Sequence, residues 1–202
     1  MTPGFWTILI TVLAYGLVHS LLASLQAKAL AQHWIGPGTT RWFRLIYNLL
    51  AGITLLPVLV LPVLLPDKAL YRIHFPWLAL TLALQLAAVL TVLIGLRHTG
   101  AGEFLGLRQL LAPGEASPPR LVTGGLYRYV RHPIYTCGLI FIWLMPLMSC
   151  NLLALNIGLT LYTWVGSRFE ERKLLLEFGE AYAEYQRLTP MLIPGLRLPR
   201  RG

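Results

Sequence analysis

Apolar residues run along this chain in long blocks separated by short polar connectors. Phe5 to Ala27 is the first block, and about 20 residues suffice to cross a bilayer as a helix. Leu45 to Leu65 is the second and Trp77 to Leu96 the third. Ile134 to Val165 holds no charged residue; it is too long for one span of about 20 residues and barely long enough for two. Pro146 and the Ser149-Cys150-Asn151 triplet offer a turn near its middle, so this block predicts a tight helical hairpin with both ends on one side of the membrane. From Glu170 to Arg187, Leu174, Leu175, Phe178, Tyr182 and Tyr185 recur at helical spacing, which predicts an amphipathic helix stopped by Pro190. The predicted fold is all-α and integral to the membrane. It has about five transmembrane helices, a C-terminal helical hairpin and a cytoplasmic amphipathic helix.

Polar residues inside the blocks refine this picture. His19 and Ser20 interrupt the first span, where a histidine either bonds a neighbouring helix or faces a site. Lys28 to Arg44 reads as a basic connector turning at Gly36-Pro37-Gly38, with Thr40 as a candidate N-cap. Pro57 and Pro62 are expected to kink the second span. Pro66 to Phe75 is a short connector, Pro76 suits the first turn of the third span, and Gln85 suits an interhelical hydrogen bond. Arg97 to Arg131 opens as a glycine- and proline-rich loop in which Glu103 to Arg108 is amphipathic. One membrane domain therefore covers residues 1–202. Its parts are the N-terminal spans (1–96), a cytoplasmic connector (97–133), the hairpin (134–167) and a closing segment (168–202).

Composition agrees. The 202 residues are 56% hydrophobic and 12% charged, with a mean hydropathy of +0.63, whereas soluble domains carry about 25% charged residues. The net charge of +9 lies between apolar spans and not along one soluble face, which argues against nucleic acid and for anionic lipid headgroups. Lys28, Arg41, Arg44, Arg97, Arg108, Arg120, Arg128, Arg131 and the C-terminal basic residues all fall on one side; Lys68 and Arg72 alone face them. The positive-inside rule then places the N-terminus outside and the C-terminus in the cytoplasm. Cys137 and Cys150 would lie about 20 Å apart on a helix, so they read as inert thiols; no zinc pattern and no cleavable signal peptide is evident.

Two polar clusters flank the hairpin: Gly125-Leu-Tyr-Arg-Tyr-Val-Arg-His-Pro-Ile-Tyr-Thr-Cys-Gly138 before it and Arg168-Phe-Glu-Glu-Arg-Lys173 after it. If the hairpin is tight, Arg131, His132, Tyr135, Glu170 and Glu171 meet at one depth. Guanidinium groups suit carboxylates, carboxylates suit a ribose diol or an ammonium, and aromatic faces suit a cation or an adenine. S-adenosylmethionine needs all three, although a lipid headgroup would use similar residues. Plainer readings stand beside this one. Arg128 and Arg131 would serve as interfacial anchors, Glu171 would pair with Arg168 one turn away, and His132-Pro133 would be a helix start.

The first cluster closely resembles the signature of the isoprenylcysteine carboxyl methyltransferase family and the related phospholipid methyltransferases. The likeness continues through Glu170-Glu171, Phe178-Gly179-x-x-Tyr182-x-x-Tyr185 and the Pro190 to Pro194 ending. The resemblance implies a helical membrane methyltransferase that binds S-adenosylmethionine between the hairpin and the C-terminal segment. The implied cofactor residues are His132, Pro133, Tyr135, Glu170 and Glu171, with Arg131 and Tyr127 close by; Arg131 and His132 are the implied catalytic pair. In the N-terminal half, His19-Ser-Leu-Leu-Ala23, Arg44-Leu-Ile-Tyr-Asn48 and Phe104-Leu-Gly-Leu-Arg-Gln109 are similar to methanethiol S-methyltransferase-like and NnrU-like membrane proteins. The expected acceptor is a small thiol or a lipid-like, prenylcysteine-like molecule arriving from the bilayer. Phosphatidylethanolamine N-methylation and a non-catalytic NnrU-like accessory role are the alternatives.

Overall fold

The computed structural model describes residues 2–36, 39–99 and 120–196. Its elements in chain order are α1 (Pro3–Leu22), α2 (Leu25–Ile35), α3 (Thr39–Leu64), β1 (Ala69–Arg72) and α4 (Trp77–Thr99), followed by a 3-10 turn (Gly125–Arg128), α5 (Pro133–Trp143), β2 (Leu147–Ser149), α6 (Cys150–Phe178) and α7 (Glu180–Leu188). They form two compact units. The first gathers α1 to α3, both strands and α6 as far as Tyr162; the second gathers α4, the 3-10 turn, α5, the rest of α6 and α7. The amphipathic segment expected at Glu103–Arg108, the Phe104–Gln109 motif and the basic tail from Arg197 lie outside the described residues.

Among the described residues, three helical stretches are long and apolar enough to cross a membrane: Pro3–Leu22, Leu45–Leu64 and Trp77–Gly95. Their outward faces stay apolar, with Ile10, Leu17, Leu49 and Leu86 all exposed, as lipid-facing helices require. α5 is apolar but has only 11 residues, about 16 Å at 1.5 Å per residue. α6 runs for 29 residues, or about 43 Å.

In the first unit, the first apolar block is shorter than the sequence suggests. Thr2 caps α1 by accepting from the Phe5 N–H at 3.2 Å, and the helix ends at Leu22 because Ser24 caps a new one, accepting from the Ala27 N–H at 3.1 Å. The expected basic connector is therefore mostly helix, in α2 and the start of α3. α3 begins at Thr39, so Thr40 lies within its first turn and not at its cap. Phe5, Ile8 and Val12 recur on one face of α1 and pack with Val58 of α3 and Ala154 of α6. Helices in lipid gain nothing from hiding apolar surface from water, so close backbone approach and buried polar contacts hold them together. Gly16 supplies the first: a Cβ there would stand 2.8 Å from the Tyr162 ring.

Asn151 supplies the second. Its fully buried side chain donates through Nδ2 to the carbonyls of Pro62, Leu65 and Pro66 at 3.4, 3.1 and 3.5 Å. The Pro62 carbonyl needs that donor, because its ordinary helical partner four residues on is Pro66, which has no N–H. Asp67 accepts from the Asn151 N–H at 3.0 Å. The expected connector after α3 carries β1, which pairs antiparallel with β2 in the expected hairpin turn, Ala69 opposite Ser149 and Arg72 opposite Leu147. Connector and turn thus lie together, as a common membrane side demands.

In the second unit, Gln85 makes the interhelical bond its sequence position suggests, donating to the Phe141 carbonyl at 2.9 Å. The single amphipathic helix expected from Glu170 to Arg187 is two. α6 ends at Phe178, and Gly179 turns the chain with φ +55° and ψ −129° before α7 begins. A side chain is strained there, so glycine breaks what hydrophobic spacing alone presents as continuous.

Gly16→Ala is expected to lower stability by about 1–3 kcal/mol through overpacking against Tyr162. A melting curve of the purified variant in detergent checks this, and Gly52→Ala, where a Cβ meets nothing within 4 Å, is the control.

Candidate cofactor site

All residues described next belong to the second unit. The Gly125–Arg128 turn leads to Arg131 and His132, and Pro133 opens α5 at its first position, as proposed for a plain helix start. The chain after α7 returns across this junction. The Arg131 N–H donates to the Pro190 carbonyl at 2.9 Å and the His132 N–H to the Met191 carbonyl at 3.1 Å. Thr136 Oγ1 donates to the Leu192 carbonyl at 2.7 Å. These bonds set the two motif side chains against the charged end of α6.

Arg131 Nε donates to Glu171 Oε1 at 2.5 Å. Its Nη1 donates to the carbonyls of Gln186, at 3.1 Å, and Thr189. Gln186 Nε2 donates to the other Glu171 oxygen at 3.1 Å. Glu171 is 4% exposed. Burial pushes its carboxyl up, but the adjacent His132 and Arg131 side chains outweigh burial and hold it below the usual carboxylate range. Glu170, one position back along α6, stays exposed and accepts from the Tyr135 hydroxyl at 3.0 Å. His132 sits between the two carboxylates, Nδ1 3.7 Å from Glu170 and Nε2 3.4 Å from Glu171. Its ring stacks on Tyr135 with centroids 5.5 Å apart and planes at 15°. His132 is 6% exposed, yet Nε2 makes no hydrogen bond with a described residue.

The structure therefore brings together Arg131, His132, Pro133, Tyr135, Glu170 and Glu171. Tyr127 joins through its backbone, its carbonyl accepting from the Tyr185 hydroxyl at 2.5 Å. Burial, and then the Glu170 charge, push the Tyr127 phenol up; burial foremost pushes Tyr185 up to about 12. Glu171 pairs with Arg131, while Arg168 lies over the Trp164 ring at 5.5 Å. Sequence reasoning missed Gln186 and Thr189, which complete the Arg131 network. Gln186 sits beside the Phe-Gly-x-x-Tyr-x-x-Tyr pattern with nothing to mark it. Thr189 contributes only a carbonyl, and no side-chain pattern reveals that.

Beside this cluster, α4 and α5 form an open apolar groove of about 240 Å³ lined by Ala88, Val92, Leu93, Cys137 and Phe141. Cys137 follows Thr136, within two turns of His132. In the first unit His19 has both ring nitrogens engaged, with the Tyr47 hydroxyl 2.5 Å from Nε2 and the Tyr162 hydroxyl 2.7 Å from Nδ1. That is the interhelical bonding reading of His19, joining α1, α3 and α6.

Residues 76–181 match the phospholipid methyltransferase family. The chain belongs to that family. The matched region runs from the start of α4 into α7 and holds every residue of the cluster from Tyr127 to Glu171. Similar proteins include methanethiol S-methyltransferase 1 of Bradyrhizobium diazoefficiens, 41% identical over 98 residues, which is 47% of this chain and 34% of that protein. Methanethiol S-methyltransferase of Mycobacterium tuberculosis is 37% identical over 111 residues, 54% of this chain and 44% of the relative. Protein-S-isoprenylcysteine O-methyltransferase of Xenopus laevis is 37% identical over 83 residues, 38% and 28% of the two chains. The chain thus spans less than half the length of these relatives. No solved structure matches it. The family resemblance carried by the Arg-His-Pro-x-Tyr and Glu-Glu motifs is upheld.

Arg131→Leu is expected to cost about 3–5 kcal/mol, because Glu171 and two carbonyls lose a buried partner. The folded-state pKa of Glu171 is depressed, so its contribution is fully present above about pH 4.5 and is lost as pH falls through the lower folded value. In Arg131→Leu the depression shrinks. Melting temperatures taken between about pH 5 and pH 3 should fall less steeply than in the wild type.

Proposed function

We propose that the protein is an S-adenosylmethionine-dependent membrane methyltransferase acting on a small thiol or a lipid-like, prenylcysteine-like acceptor. The observation that carries this reading is the convergence of His132 and Tyr135 with Glu170 and Glu171, leaving a buried imidazole nitrogen that stands 3.4 Å from Glu171 without a hydrogen bond among the described residues. Native interiors leave few such atoms unsatisfied, so a buried one calls for a ligand. The donor set fits the cofactor. Glu170, exposed and steadied by Tyr135, offers a carboxylate to a ribose diol or an ammonium. The parallel His132 and Tyr135 rings offer an aromatic face.

When bound, the cofactor supplies an electrophilic methyl group on a sulfonium. The residues of this chain then act chiefly by position, an effect worth up to roughly 7–11 kcal/mol in well-aligned systems. Arg131 is committed to Glu171, Gln186 and Thr189, which favours a positioning role over ligand contact. It fixes the junction that aims His132. A thiolate acceptor needs no base once its proton has gone to water; an amine must shed a proton, which His132 could take. The open α4–α5 groove suits the apolar part of an acceptor. The thiol reading is favoured over phosphatidylethanolamine by the relatives named methanethiol S-methyltransferase. We place five spans in a bacterial inner membrane, N-terminus outside and C-terminus cytoplasmic, with the cluster on the cytoplasmic side. Positive charges flanking the described spans support that orientation.

S-adenosylhomocysteine at 100 times its dissociation constant should stabilise the purified protein by about 2.7 kcal/mol. Labelled-methyl transfer in membranes should go to methanethiol or a prenylated cysteine analogue and fall about 10²-fold or more in His132→Ala. Methylated phosphatidylethanolamine instead would replace the acceptor, and neither stabilisation nor transfer would leave the accessory role.

A further inference from the structure

A second buried polar atom stands unused beside the cluster. Tyr182, on α7, is 1% exposed, yet its hydroxyl has no hydrogen-bond partner among the described residues. Its ring meets Tyr185 edge-on, centroids 5.8 Å apart at 69°, while the Tyr185 hydroxyl is occupied by the Tyr127 carbonyl. The charges of Glu171, Arg131 and Glu170 all act on the Tyr182 hydroxyl, which places it within their field, although burial is the first reason that it resists ionisation. Glu171 also stands 3.4 Å from His132 Nε2, a buried nitrogen that makes no hydrogen bond among the described residues.

We infer that the Tyr182 hydroxyl is a binding group for the nucleoside part of the cofactor, sharing that task with His132 Nε2. This rests on the cofactor reading above. A phenol both donates and accepts, and an imidazole nitrogen does one or the other according to its tautomer. They match uncharged groups that donate and accept, namely ribose hydroxyls and the adenine edge. The amino-acid end of the cofactor needs fixed charges, and the exposed carboxylate of Glu170 supplies one. A hydroxyl kept for a ligand also has an energetic signature. It is a burden in the empty protein and a benefit in the complex, because an unsatisfied buried polar group costs more than its removal. A structural hydroxyl behaves the other way.

Tyr182→Phe separates the two. The full-length variant in detergent is expected to melt, without ligand, at or above the wild-type temperature. Its affinity for S-adenosylhomocysteine should fall about tenfold, the loss of one buried hydrogen bond. 5′-Methylthioadenosine, which lacks the amino-acid end, should lose affinity by the same factor when it displaces labelled S-adenosylhomocysteine. Unchanged affinity, or a lower melting temperature without ligand, overturns the inference. A loss for S-adenosylhomocysteine without one for methylthioadenosine overturns the nucleoside assignment. Should the wild type itself bind neither compound, the cofactor reading falls and takes this inference with it; wild-type binding with an unaffected variant removes the inference alone.

Discussion

Arg131 and Glu171 stand forty positions apart in the chain and meet almost out of water, at 10% and 6% side-chain exposure. Neither charge is tolerable there alone. Burying an unpaired guanidinium or carboxylate costs several kcal/mol, and only close pairing with every remaining donor and acceptor satisfied offsets it. Gln186 and Thr189 meet much of that demand. Gln186 takes the second carboxylate oxygen, and the Gln186 and Thr189 carbonyls take the second guanidinium nitrogen. One charge pair thereby fastens the start of α5, the charged end of α6 and the chain after α7. His132, Tyr135 and Glu170 inherit their positions from that fastening.

The same economy governs the apolar helices. Lipid tails are as apolar as leucine, so helix contacts rest on fit and on a few polar bonds. Each long helix carries such a bond. His19 joins α1 to α3 and α6, Asn151 catches carbonyls at the end of α3, and Gln85 ties α4 to α5. His19, Gln85 and the Asn151 amide nitrogen thus find their partners within the protein, while Asn151 Oδ1 makes no hydrogen bond among the described residues. The cluster around Arg131 differs because it gathers a charge pair, a second carboxylate and two buried polar atoms that make no hydrogen bond among the described residues.

Much of this was legible in the sequence, for physical reasons. Span length is fixed by bilayer thickness, so the blocks around α1, α3 and α4 announced themselves. Pro146 and the polar triplet after it marked where α5 and α6 separate. The meeting of Arg131 and His132 with Glu170 and Glu171 followed from the uncharged stretch between them. What stayed hidden depended on backbone. Ser24 ends the first helix because its hydroxyl bonds the next one, which hydropathy does not register. Gly179 breaks the helix that apolar spacing draws straight through, because φ is invisible to periodicity. β1 and β2 are too short for any pattern. The Arg131 network uses main-chain carbonyls, and no residue type reveals a carbonyl. Glu171 had a nearer partner in Arg168, and tertiary structure preferred Arg131.

Light-driven crosslinking of labelled S-adenosylmethionine to the membrane-embedded protein, followed by mapping of the labelled peptides, tests the central claim most directly. Adducts shared between the Tyr127 to Tyr135 segment and the peptide carrying Glu170 and Glu171, suppressed by excess S-adenosylhomocysteine, are the expected result. Label confined to one of these segments, or found only elsewhere in the chain, would contradict a cofactor site built jointly by both.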